Sequence, residues 1–137
     1  TAQNALKKNE NLQFQYADIR SFNFEDADVV FLNDVLHYLP QADQENVLNE
    51  ICLRLNAGGI LFIRDGVIEL HDRIKNTRLT EKLSTKWFKF NKSENDLEFL
   101  SIEKMKLFAV ENSLSFEMIE HSKTTSNVLF ILRKNGK

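Results

Sequence analysis

The sequence predicts an α/β domain built on a parallel sheet with helices packed against it. Three observations carry this. Val29–Leu32 and Ile60–Ile63 are apolar at every position rather than at alternate ones, the mark of strands buried on both faces. The link between the two runs is long enough for one crossover helix and too short for more, so the unit reads as a right-handed βαβ. Both runs end in polar residues, Asn33-Asp34 and Arg64-Asp65-Gly66, and open parallel sheets bind ligands beyond the carboxyl ends of their strands.

The composition sets outer limits. A chain of 137 residues is the size of one domain, and 42% hydrophobic residues with 11 Phe can fill a core. A net charge of −2 and a pI near 5.9 argue against a nucleic-acid binder. The single cysteine, Cys52, excludes an internal disulfide and fits a reducing, cytoplasmic compartment. No apolar run approaches the length of a membrane span. The first residues, Thr1-Ala2-Gln3, lack an initiator Met, so the expectation is a piece of a longer protein. Asn91-Lys92-Ser93 matches a glycosylation sequon with nothing else to suggest secretion.

In chain order, Ala2–Lys8 reads as the tail of a helix. Leu12–Ile19 alternates, with Leu12, Phe14 and Tyr16 on one face, and is expected to form a strand ending near Asp18. Arg20–Asp26 is a loop in which Phe22 and Phe24 turn inward. Asp28–Asn33 is a strand. Pro40 disfavours helix at Leu39, so Asp34–Leu39 is a short turn or a single helical turn. The crossover helix runs from about Ala42 to Leu55 with Asp43 as N-cap. Val47, Leu48, Ile51, Cys52 and Leu55 share one face of it. Gly58 or Gly59 takes a left-handed cap position, and Ile60–Asp65 is the next strand.

The segment from about 67 to 100 differs in character. Asp72–Lys92 holds seven basic residues and two acids, the reverse of the chain as a whole. Leu79, Leu83 and Trp87 recur every four residues as one helical stripe. Ser101 caps a helix over Ile102–Asn112 that buries Met105, Phe108 and Ala109. Ser115–His121 and Asn127–Arg133 form an antiparallel hairpin across a polar link.

Two words of this sequence, Asp28–Leu39 and Leu55–Asp65, resemble the later motifs of class I S-adenosylmethionine-dependent methyltransferases. The closing hairpin is similar to that family's sixth and seventh strands, and Ala17-Asp18-Ile19 resembles the acidic turn after its third strand. The resemblance covers nearly the whole chain. It implies a three-layer Rossmann-like sheet, mostly parallel with a C-terminal antiparallel hairpin. Residues 1–137 would then be a single partial methyltransferase domain with a variable basic and aromatic insertion at about 67–100. The family's first two strands and Gly-rich loop have no counterpart here, since the glycines stand only at 58, 59, 66 and 136. The strand Asp28–Asn33 would therefore carry an unpaired edge, covered by Leu12–Ile19 or by another chain.

The resemblance also implies site residues. Asp18 would bind the adenine amino group of S-adenosylmethionine with Ile19 beside the ring, or serve only as a loop-starting residue. Asn33 would lend its main-chain carbonyl to the cofactor's ammonium, with Asp34 next to it. His37 and Tyr38 would face the methyl group or the acceptor, His37 as a general base or as a pocket-shaping residue. Asp65 would orient the acceptor or cap the following segment, and Trp87 with its basic neighbours would either meet an anionic or lipid-like acceptor or be a core residue on an otherwise solvated helix. His71 and His121 are isolated, and no spacing suggests a metal. The absence of an Asn-Pro-Pro-aromatic word favours a carbon, oxygen or other small-molecule acceptor. The segment 67–100 is also similar to methyltransferase modules at the end of large exporter–acyltransferase fusions, which implies a membrane-tethered whole. Two readings follow: a small-molecule methyltransferase, or a non-catalytic α/β binding or assembly module that lost the cofactor loop.

Overall fold

The computed structural model describes residues 12–70, 98–120 and 126–136. Four strands form one sheet: β1 (Ala27–Asn33), β2 (Leu55–Gly66), β3 (Leu114–Ile119) and β4 (Asn127–Lys134). Their spatial order is β1-β2-β4-β3. β1 and β2 are parallel, with Phe31 opposite Phe62 and Asn33 opposite Arg64. β4 runs antiparallel to both β2 and β3. The α/β class, the crossover and the terminal hairpin are as the sequence predicts. The hairpin link, residues 121–125, lies outside the described residues.

The crossover helix α1 spans Gln41–Arg54. Its buried residues include Val47, Leu48, Ile51 and Cys52, the stripe read from spacing, and it also buries Gln44. The helix starts earlier than Asp43, because Pro40 holds the N-cap with φ −54° and ψ 148°. Proline tolerates this place, where its missing N–H would have no helical partner. The C-terminal end is closed by Lys134 Nζ, which donates to the carbonyls of Cys52 at 2.8 Å and Leu55 at 2.7 Å. The left-handed glycine is Gly58, with φ +77°. It stands in the irregular entry to β2 rather than directly after the helix, whose C-cap is Leu55.

The second helix, α2, spans Ile102–Glu111, and the Ser101 side chain accepts from the Lys104 N–H at its start. Buried residues of α1, α2 and one sheet face (Leu32, Leu61, Ile63, Val128, Phe130, Leu132) form one apolar cluster. Both helices therefore lie on the same face, and the described residues supply one of the two helical layers. The opposite face carries the Phe31 and Phe62 rings, stacked at 4.4 Å, with Phe31 66% exposed.

Two expectations are corrected. Leu12–Ile19 is not a strand: it pairs with nothing in the sheet, and Tyr16 on its would-be inner face is fully exposed. Alternation makes a strand only where an edge accepts it. It follows that the outer edge of β1 has no strand beside it among the described residues. Of the two loop phenylalanines, Phe24 packs against the core while Phe22 stays exposed. The helical stripe Leu79–Trp87 lies outside the described residues.

Candidate functional site

The site forms where β1 and β2 end side by side. Asp34 closes β1 in a left-handed conformation, φ 53°, which Asp tolerates better than most residues. Its N–H donates to the Arg64 carbonyl on β2 at 2.8 Å. Because that peptide is trans, the Asn33 carbonyl points the opposite way, out of the open sheet edge. The Asp34 carboxylate accepts from Arg64 Nη1 and from Asn127 Nδ2, the latter at 3.0 Å. Residues at the ends of three strands are thereby tied into one rim.

Past Asp34 the chain makes a 3-10 turn over Leu36–Tyr38. The first N–H groups of such a turn have no partner within it, and here Asp65 supplies one. Asp65 Oδ2 accepts from Leu36 N–H at 2.8 Å and His37 N–H at 3.4 Å, and Oδ1 accepts from Gly66 N–H at 2.8 Å. His37 Nδ1 also donates to Asp65 Oδ1. Asp65 is 1% exposed and His37 4%. A carboxylate so buried is tolerable because donors surround it. With Nδ1 carrying its hydrogen toward Asp65, Nε2 is left with the lone pair. His37 Nε2 is the one buried side-chain nitrogen or oxygen without a hydrogen-bond partner among the described residues.

Aromatic rings flank this nitrogen's ring. Tyr38, itself exposed, lies 4.0 Å from the His37 ring centre, and Phe99 lies 6.1 Å away, nearly parallel. Phe99 reaches this place because residue 66 has no side chain. A Cβ there would stand 2.9 Å from Phe99 Cδ1, too close for an aromatic ring to stay.

Of the residues read from the sequence, Asn33, Asp34, His37, Tyr38 and Asp65 come together at this end. Among the described residues, Asp18 makes no hydrogen bond to this group. Its carboxylate accepts from Arg20 Nε and, at 2.6 Å, from Arg20 Nη2. The Arg20 side chain beside it lowers its pKa to about 2. Ile19 packs against the edge of the core. Trp87, His71 and His121 lie outside the described residues. Cys52 is no nucleophile, since burial pushes its thiol up to about 11. No group of three metal-binding side chains occurs among the described residues, and no helix among them is long and apolar enough to cross a membrane. Sequence reading missed Gln44, Glu98 and Phe99, whose contacts depend on distant chain.

The Asp18 pair gives a direct check. Its folded pKa is depressed, so the carboxylate should stay ionised as pH falls below 3.8 and titrate near 2. Carboxyl NMR should show this, and Arg20→Ala should return the midpoint toward 3.8.

Comparison with known proteins agrees with the geometry. The profile of the family described as CheR methyltransferase, SAM binding domain, matches residues 3–88. A carboxy-S-adenosyl-L-methionine synthase from Shewanella amazonensis is 35% identical over 114 residues, covering 83% of this chain and 44% of that protein. One from Psychrobacter sp. is 49% identical over 49 residues, covering 36% of this chain and 18% of that protein. The chain thus spans less than half the length of these curated relatives. Among solved structures, an O-methyltransferase family protein from Burkholderia thailandensis superposes with a TM-score of 0.63 at 22% identity, over 90% of this chain and 35% of that one. Human N-acetylserotonin methyltransferase in complex with SAM gives 0.64 at 17% identity, over 93% of this chain and 35% of that one. These last two likenesses speak to the fold.

Proposed function

The chain belongs to the CheR methyltransferase, SAM binding domain, family, and from that premise we propose that it is the later part of an enzyme that methylates a small-molecule hydroxyl. The carrying observation is the buried His37–Asp65 pair, with Nε2 of His37 free to accept a proton. S-adenosylmethionine supplies an electrophilic methyl group on a sulfonium. An acceptor hydroxyl is a poor nucleophile until its proton leaves, and Nε2 is an acceptor with no other duty. Asp65 keeps the Nδ1 hydrogen in place and stabilises the imidazolium that forms. An acceptor atom already stripped of its proton, such as a carboxylate, would have nothing to donate to Nε2 and would meet the Asp65 charge.

The residues present fit the cofactor in part. The outward carbonyl of Asn33 suits an ammonium group, and Asp34 braces it. Asp18 would first exchange Arg20, which costs little for an exposed ion pair. Ile19 stands beside it with its side chain partly free. Residues 1–137 are read as one partial domain, with the rest of the cofactor pocket supplied by other chain. The exposed β1 edge and the Phe31–Phe62 face support association with a further strand or a second copy. An enzyme is favoured over an assembly module because assembly needs no buried imidazole with an unused nitrogen.

The test is conversion of S-adenosylmethionine to S-adenosylhomocysteine by the full-length protein against a panel of phenols, alcohols, amines and carboxylates. Turnover with hydroxyls that is lost in His37→Asn is expected. Turnover only with carboxylates, or none dependent on His37, would overturn the reading. The basic run in Asp72–Lys92 supports an acceptor that carries an anionic or lipid-like group away from the reacting hydroxyl. Neutralising Lys82, Lys86 and Lys89 together should then raise the acceptor KM about tenfold, with kcat and the cofactor KM little changed. An unchanged acceptor KM would remove that refinement.

A further inference from the structure

Three side chains are both polar and buried among the described residues: His37, Gln44 and Asp65. They are members of one hydrogen-bonded chain. Asp65 holds the His37 ring, and the His37 carbonyl accepts from Glu98 N–H at 3.1 Å. The Glu98 carbonyl accepts from Gln44 Nε2 at 2.6 Å. The same Nε2 donates to the carbonyl of Leu39, just past the 3-10 turn, at 3.0 Å. Outside this chain but braced against it, the Glu98 carboxylate accepts from Gln41 N–H at 2.6 Å, at the start of α1.

Gln44 is 5% exposed and shares the buried face of α1 with Val47, Leu48 and Ile51. An apolar residue would be favoured there by burial alone, because a buried amide is costly unless bonded. Its two bonds join the segment that carries His37 to the segment that carries Phe99. We propose that Gln44 is a positioning residue of the reaction. By bridging Leu39 and Glu98 it fixes the 3-10 turn against the Glu98–Phe99 wall and so sets where His37 Nε2 meets the acceptor. Glu98 braces the same clamp from the start of α1. The inference rests on the reading of His37 as the base, and it adds residues that do not touch the acceptor.

The experiment uses the full-length protein with ¹⁵N-labelled histidine, His37 being assigned by its loss in His37→Asn. The wild type should show His37 in one tautomer, with the hydrogen on Nδ1. Gln44→Met keeps the volume and removes both bonds. It should give averaged His37 nitrogen shifts and, with a hydroxyl acceptor, a kcat lower by on the order of tenfold to a hundredfold at unchanged cofactor KM. Glu98→Ala should move the same signals less, and Glu98→Gln, which retains an acceptor for Gln41 N–H, should restore them. If Gln44→Met fails to fold, Gln44→Asn, whose amide is one methylene too short to bridge both carbonyls, decides the matter by the same signals. Lower thermal stability with unchanged His37 signals in folded Gln44→Met, or in Gln44→Asn, would show a merely structural role and overturn the proposal. Were His37→Asn to leave methyl transfer intact, the reading of the base would fall while the nitrogen signals still decide the positioning.

Discussion

Asp65→Ala is expected to destabilise the domain by about 3–5 kcal/mol, the scale of several buried donors losing their one acceptor. The substitution takes the common acceptor from four donors at once: Leu36 N–H, His37 N–H, Gly66 N–H and His37 Nδ1. Each buried group left unpaired costs about 1–3 kcal/mol, and relaxation of the 3-10 turn toward water reduces the sum. Against a typical total of about 5–15 kcal/mol, the loss is large enough to show in chemical denaturation as a clear drop in midpoint. Asp65→Asn separates stability from chemistry. An amide at this place cannot serve all four donors, because its NH₂ must face some of them. With the amide hydrogen toward the ring, Nδ1 becomes the acceptor and Nε2 carries the hydrogen. That variant should lose less stability than Asp65→Ala and yet lose most of its activity. A fully active Asp65→Asn would show that the tautomer of His37 is immaterial.

Much of this was legible in the sequence, and the failures have physical reasons. Unbroken apolar runs announced β1 and β2, and the spacing of Val47, Leu48, Ile51 and Cys52 gave the buried stripe of α1. Those signals are local and repeat with the period of their element. Asn33, Asp34 and Asp65 were singled out because strand ends are where sheets of this kind bind ligands. Leu12–Ile19 failed because a strand's period says nothing about whether an edge is there to receive it. Gln44 was missed because it reads as one more polar helix residue. Its burial follows from the carbonyls of Leu39 and Glu98, and Glu98 is 54 residues along the chain. Glu98 and Phe99 follow a long basic stretch and carry no period of their own. Gly66 was the one clue to Phe99, since a lone glycine at a strand end invites a close neighbour.

Methyl transfer by His37→Asn should fall by about 10²–10⁴-fold in kcat, the range attached to one general base. Asparagine is the informative replacement, because its Nδ2 can donate to Asp65 as Nδ1 does while nothing replaces Nε2. Stability should therefore fall far less than in Asp65→Ala, and binding of S-adenosylmethionine should be unchanged. A pocket-shaping His37 predicts the reverse: a raised acceptor KM with kcat nearly intact. The acidity of the acceptor distinguishes the two further. A hydroxyl that ionises readily needs little help in losing its proton, so the penalty of His37→Asn should shrink steadily as more acidic phenols are supplied. If His37 only shapes the pocket, the penalty follows the size of the phenol instead. The slope of the rate loss against acceptor acidity thus measures how much of the proton rests on Nε2 at the moment the methyl group moves.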